Sequence, residues 1–459
     1  MKNIQRRLLL QLISLIAFIC ISKPLQSQSS QKLVEQSKEV LRKGITYFHS
    51  INIEGGYVYH YTLDLSEKWG EGKTDDYTVE VQPPGTPAVG ASFLRAYRVL
   101  GDPEVLQAAV DAGKALIKGQ NDLGGWTHTI RFNKPKDKYV SFDDDQTQRA
   151  ISFLMDLDKE VDLPELTSAI EKALDMMLKS QLENGGWPHR YPANGSYHDF
   201  ATFNDQGIND CIRVMLEAHQ LYGEDDYLQS LHRVGRFLLI SQLPPPQPGW
   251  AQQYNEYLQP AWARAFEPPA VCPSASIHNI HSLLDLYLYL GNSTYLEAIP
   301  DALRWLEDSQ LPNGKWGRFL EIGTNKPLYY DRGRIRVNSI EELSLERRTG
   351  YGYENDLSQA LVAATARFHQ IAKTQPKEFP HEMSTTTSAE GEDLTPMVKE
   401  IIASLDEKGR WISFNDQFRK RIKGQRWNGI YRYEDRISSA IFNRNVDLLC
   451  GFIERQDGK

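Results

Sequence analysis

The chain has 459 residues, 41% of them hydrophobic, with 22 Tyr, 9 Trp and a formal net charge of −8. Apolar and aromatic content on that scale excludes a predominantly disordered chain. The acidic balance argues against a surface built to bind nucleic acid or anionic membrane.

Residues 1–27 read as a cleaved secretion signal. Lys2, Arg6 and Arg7 form a basic start, and the apolar stretch from Leu8 to Ile21 is broken only by Gln11 and Ser14. The stretch is short for a membrane span. Cys20 offers a lipid-anchor reading, but bulky Ile19 precedes it where such sites take a small residue. Cleavage removes four basic residues and no acid, taking the net charge from −8 to about −12. The mature chain is expected to be secreted or periplasmic, one domain over 28–459. Cys211, Cys272 and Cys450 are too few and too far apart for a disulfide framework or a zinc site, and leave room for one bridge.

Residues 38–50 read as a helix, and the Gly/Tyr/Asp-rich segment 54–80 as irregular or β-like. Gln82-Pro83-Pro84-Gly85-Thr86-Pro87 is a turn and a helix start. Helical hairpins follow: Val89–Val99 with Pro103–Lys118, Thr147–Leu157 with Glu165–Lys179, Gly207–Tyr222 with Asp226–Ile240, and Ala275–Leu290 with Thr294–Ser309. Apolar residues recur in them at three- and four-residue spacing. A fifth pair opens at Asp356–Ile371, interrupted by a Pro/Thr/Ser/Glu-rich stretch, 375–395, read as a mobile loop. Ser438–Glu454 is the last helix.

One phrase closes four of these hairpins: Gln120 with Gly124-Gly125-Trp126, Gln181 with Gly185-Gly186-Trp187, Gln242 with Gly249-Trp250, and Gln310 with Gly314-Lys315-Trp316. The glutamines step by 61, 61 and 68 residues, which marks a stacked supersecondary unit. The plain reading of the phrase is structural: glycine ends the helix and tryptophan packs against it. The expected fold is all-α, an incomplete α/α toroid, with small β-elements and the long loops 127–146, 188–206, 244–274 and 317–355 at one end.

Chemistry must then lie in those loops. Asp143, Asp144 and Asp145 run into a helix start, and Phe203-Asn204-Asp205-Gln206 opens the next inner helix. One acid suffices for a cap; three together repel unless a cation neutralises them, and clustered hard oxygens suit Ca²⁺. Asp143 and Asp205 stand 62 residues apart, close to the repeat step, so both acids are expected at one mouth. Arg264, Arg332 and Arg348 in the later loops suit a carboxylated sugar, since guanidinium grips carboxylate bidentately. The alternative for each is local pairing, as of Arg264 with Glu267 or Arg348 with Glu346.

An ordered set of motifs resembles the family 10 polysaccharide lyases, pectate lyases on an α/α toroid. It comprises Asn184-Gly185-Gly186-Trp187-Pro188 with Arg190-Tyr191-Pro192, Thr202-Phe203-Asn204-Asp205, Ala263-Arg264-Ala265-Phe266-Glu267, Tyr330-Asp331-Arg332, Leu345–Tyr351 and Gly409-Arg410-Trp411. The resemblance implies calcium-dependent β-elimination on polygalacturonate or a related uronan. It implies Asp143 and Asp205 as metal ligands with Asp144 beside them, and Arg264 as the base. Arg332 would bind a substrate carboxylate. Arg190 and Arg348 are further candidate substrate-binding residues, and the protein is expected to act as a monomer. The sequence departs from the family's pattern at Asp144, where an Asn is usual, at Gln146, and in Ala270–Ser274 after the arginine motif. Two rivals remain: a secreted uronan-binding protein without turnover, and a glycoside hydrolase on the same toroid using Glu267 or Asp199.

Overall fold

The computed structural model describes residues 31–373, 393–418 and 429–457. The expected signal, 1–27, and all but the last three residues of the expected loop 375–395 lie outside the described residues.

Fourteen helices are present among the described residues. They are α1 (31–50), α2 (Thr86–Leu100), α3 (Pro103–Gly119), α4 (Gln146–Asp158), α5 (Pro164–Ser180), α6 (Gly207–Tyr222) and α7 (Asp225–Ser241). Then come α8 (Pro273–Leu290), α9 (Thr294–Glu297), α10 (Ile299–Asp308), α11 (Leu345–Gly350), α12 (Ser358–Ala372), α13 (Thr395–Ser404) and α14 (Ser439–Asp457). Their limits follow local chemistry. Proline opens α3, α5 and α8, where a missing N–H costs nothing. Gly101, Gly223 and Gly291 end α2, α6 and α8 in the left-handed conformation.

The helices form two layers. α14, α2, α4, α6, α8 and α12 are the inner set, packed in that order from α14 to α12. α3, α5 and α7 pack on one another outside. The ring is loosest at α12, which buries only Leu361, Ala364 and Ile371. This is the toroid expected.

The repeated phrase joins each outer helix to the next inner one, and its parts are structural. The indole Nε1 of Trp126, Trp187, Trp250 and Trp316 donates to the carbonyl of Leu116, Met177, Leu238 and Leu306, at 2.9, 3.0, 2.8 and 2.7 Å. Each ring is buried, so the bond satisfies a donor that water cannot reach. Gln120 Nε2 donates to Gly124 O and to Ala169 O of α5, and Gln181 to Gly185 O and to Ser230 O of α7. The glutamine therefore ties one unit to the next. Gly124 and Gly185 have φ of 107° and 98°, and a Cβ there would stand 2.4 and 2.3 Å from the Lys172 and Arg233 carbonyl oxygens.

Two further copies bring the units to six among the described residues. Trp411 donates to Ile401 O at 3.1 Å. Gly55 has φ 87° and the same close approach, to Asp111 O, while Tyr57 N donates to Thr86 Oγ1 as Trp126 N does to Thr147 Oγ1. Short antiparallel strands stitch neighbouring loops: Thr78–Glu80 with Thr129–Arg131, Val140–Ser141 with Arg190–Tyr191, and Ala201–Thr202 with Gln253–Tyr254. A four-stranded sheet of Ile412–Phe418, Arg432–Ser438, His60–Thr62 and Lys68–Trp69 joins the two ends of the chain. Cys211, Cys272 and Cys450 are unpaired and buried. No helix among the described residues is long and apolar enough to cross a membrane.

Candidate active site

The stitched loops hold two identical turns at the mouth. Before α4, Asp144 and Asp145 have φ of 49° and 55°; before α6, Asp205 and Gln206 have φ of 44° and 63°. Left-handed backbone costs a non-glycine residue about 1–2 kcal/mol, so two such pairs mark a site that the surrounding structure over-determines. The bracing is visible. Ser141 N donates to Trp126 O and Phe142 N to His189 O, both at 2.8 Å. One repeat on, Thr202 N donates to Trp187 O at 3.1 Å and Phe203 N to Gln252 O at 2.8 Å. These matches correct the register read from sequence. The equivalent of Asp205 is Asp144, one full step of 61 residues away, and Asp143 is matched by Asn204.

The two turns pack against each other. Burial, then the charges of Asp143, Asp205 and Glu71, push the Asp144 carboxyl up to about 7, against the pull of Arg264. Asp205 is also raised, by burial first and Asp143 second; Arg318, Arg264 and the Asn204 amide draw it back. Asn204 Nδ2 donates to Asp205 Oδ2 at 2.6 Å. Asp143 Oδ1 is buried without a hydrogen-bond donor. Ligating atoms of His128, Asp143 and Asp144 lie within 4.8 Å of one another. Crowded carboxylates, one with an orphaned oxygen, are what a cation site requires, and these residues fit one. Asp145 is turned away, bound to Arg213 Nη2 at 2.6 Å.

Across from the acids stands a cationic wall built on aromatic rings. Glu267 is 2% exposed and Arg264 44% as side chains. The Arg264 backbone N, Nε and Nη2 donate to the Glu267 carboxylate at 2.9, 2.8 and 2.6 Å, and Tyr351 donates its hydroxyl to the same group. Burial would raise the Glu267 carboxyl, but the Arg264 bonds outweigh it and hold it down at about 2. Burial likewise favours the neutral form of Arg264, and Glu267 outweighs it, so the guanidinium stays charged. Arg332 grips Glu346 with Nε at 3.1 Å and Nη2 at 2.7 Å. The guanidinium carbons of Arg264, Arg332 and Arg347 stand 5.3, 5.3 and 4.1 Å from the Phe266 ring centre. Arg318 lies 4.5 Å over Tyr351.

Arg348 is not in this set: it is exposed and reaches only the Glu341 carbonyl, at 3.4 Å. Its neighbour Arg347 is the buried one, and Glu346 pairs with Arg332 and Arg347. Arg190 lies 4.1 Å over the Tyr139 ring on the strand beside Ser141.

The family model for pectic acid lyase matches residues 127–315 and 313–362, just over half of the chain. The chain belongs to the pectic acid lyase family. The matched region holds both acid turns and the arginine wall. The family 10 polysaccharide lyase from Cellvibrio cellulosa is similar in structure, with a TM-score of 0.51, 20% identity, and 62% of this chain and 97% of that chain covered. An aspartate-to-alanine mutant of a family 10 lyase from the same organism, solved with trigalacturonic acid, gives 0.50, 20%, 61% and 98%. At that identity the likeness concerns the fold. The sequence has no match among curated proteins.

Sequence reading missed His128, His189 and Arg318. A signal for them was present: each stands two residues after a repeat tryptophan, Trp126, Trp187 and Trp316. Tyr351 closes the Leu345–Tyr351 motif, and Glu71 lies in the irregular segment before the first hairpin, where no sequence pattern points to the mouth.

Proposed function

We propose that this pectic acid lyase family member cleaves polygalacturonate or a related uronan by β-elimination, with a divalent cation at the acid turns. The observation that carries this reading is one mouth with Asp143, Asp144 and Asp205 on one side and Arg264, Arg318, Arg332 and Arg347 on the other. The proton at C5 of a uronate is a poor acid while the adjacent carboxylate is fully charged. A cation such as Ca²⁺, when held by Asp143, Asp144 and Asp205, would supply the charge withdrawal that acidifies it. Arg264, locked in direction by Glu267, is positioned to stabilise charge developing on the sugar. For Arg264 to accept the C5 proton it must first be neutral, a state Glu267 opposes and burial favours. Arg332, whose side chain is 44% exposed, suits the carboxylate of a neighbouring sugar, Trp262 gives the wall an aromatic face, and buried Arg347 and Phe266 back it from within.

The hydrolase reading has less support. Glu267 is clamped by Arg264 and Tyr351, and Asp199 accepts from the backbone of Asn194 and Gly195. Neither is a free acid or water-activating base. Export through the segment 1–27 is part of the proposal, and so is action as a monomer. N-terminal sequencing of the product from its native host, and its mass in solution, test these. The lyase reading itself is tested by following ultraviolet absorbance of the unsaturated product with polygalacturonate, with and without a chelator. Absorbance should rise, stop on chelation and resume when the cation is returned; uronan binding without any rise would leave the non-catalytic reading standing.

A further inference from the structure

Two histidine rings stand beside the carboxylates of the acid turns. His128 and His189 are repeat equivalents, 61 residues apart, each two residues beyond its tryptophan. The His128 ring is half-buried, and a ring nitrogen lies within 4.8 Å of ligating oxygens of Asp143 and Asp144. His189 is buried, 6% exposed, and its Nδ1 faces Asp143 Oδ1 at 4.0 Å. That is too long for a hydrogen bond.

The tautomer of His189 follows from its surroundings. Gln253 Nε2 is committed to the carbonyls of Tyr197 and Trp262, each at 3.2 Å. Gln253 Oε1 is therefore the atom 2.9 Å from His189 Nε2, and that nitrogen must carry the proton. In the neutral ring Nδ1 is then an unprotonated lone pair, aimed at a carboxylate oxygen that itself lacks a donor. Two acceptors facing each other in a buried space are stabilised by a cation between them. Asn204 repeats the pattern from the neighbouring turn: it is 5% exposed, its Nδ2 is on Asp205, and its Oδ1 has no partner.

We propose that His128 donates a ring nitrogen to the cation held by Asp143 and Asp144, with His189 as a second nitrogen facing the Asp143 oxygen, so that the site prefers Mn²⁺ to Ca²⁺. Ca²⁺ takes six to eight oxygen ligands, whereas imidazole favours first-row transition metals. The hydrogen bond from Nε2 to Gln253 orients His189 as the outer partner of a metal-bound histidine does. This rests on the cation-dependent part of the function proposed above and not on the identity of the polymer.

The test uses the full chain, stripped of metal and loaded with Mn²⁺ alone. Electron spin-echo modulation should show ¹⁴N coupling to the bound ion. Calorimetry should show Mn²⁺ binding about tenfold or more tighter than Ca²⁺. His128→Asp returns an oxygen donor, and should weaken Mn²⁺ relative to Ca²⁺ by about tenfold or more while circular dichroism stays unchanged. Mn²⁺ bound without ¹⁴N coupling, or a Mn²⁺/Ca²⁺ preference that His128→Asp does not move, overturns the proposal. So does failure to bind either ion. Nitrogen-coupled Mn²⁺ in a protein that leaves polygalacturonate and related uronans intact would retain this inference and remove the lyase reading.

Discussion

Replacing Glu267 by glutamine keeps the side chain's shape and removes the charge that holds Arg264. The folded carboxyl sits at about 2 against an ordinary 4.5. At 1.36 kcal/mol per unit, that depression corresponds to about 3 kcal/mol of stability. The Arg264 side chain is 44% exposed. Solvent screening of that partner brings the expectation to about 2 kcal/mol. The sign is fixed by the direction of the shift. A depressed carboxyl contributes fully above its unfolded value of 4.5 and loses the contribution as pH falls toward 2. Urea unfolding at pH 7 should therefore show Glu267→Gln less stable by about 2 kcal/mol, with less than half of that gap left at pH 3. Arg264 would also lose its direction, and misplacement near 1 Å lowers kcat by about 10²-fold. Steady-state absorbance kinetics read that loss. A variant as stable as the parent at pH 7, or one with undiminished kcat, would refute the claim that Glu267 sets the position of Arg264.

Arg264→Lys should lose most of its kcat with KM little changed, because lysine lacks the planar fork, whereas Arg332→Ala should chiefly raise KM; the reverse balance in steady-state kinetics would exchange their roles. Asp205→Ala should weaken calorimetric cation binding by about tenfold or more, and an unchanged affinity would remove Asp205 from the site. Gly185→Ala places a Cβ 2.3 Å from Arg233 O at φ 98°, and should cost more than about 2 kcal/mol by urea unfolding. Gly101→Ala, at φ 64° in open space, should cost about 1 kcal/mol, so equal losses would contradict the close-approach argument.

The toroid was legible because its signal is periodic. Apolar spacing marked the helices, and the Gln and Gly/Trp phrase marked every 61-residue step in the middle of the chain. The outer copies escaped for physical reasons. Tyr57 replaces tryptophan in one, since any large buried ring fills the space, and Trp411 follows an interrupted hairpin. At the site, the acids were legible as a cluster but not in register. Which of three consecutive aspartates faces the mouth depends on left-handed backbone at Asp144 and Asp145, a feature no residue pattern dictates. Arg347 and Arg348 are adjacent and chemically identical, and only helix phase buries the first. His128 and His189 were passed over because a lone histidine carries no pattern until the repeat is aligned on its tryptophans.

Elimination across a cation-charged mouth and hydrolysis leave products of different mass. Polygalacturonate digested by the full chain should give fragments whose new non-reducing end is lighter by one water than a hydrolytic fragment of the same length. Fragments at the full hydrolytic mass would contradict elimination.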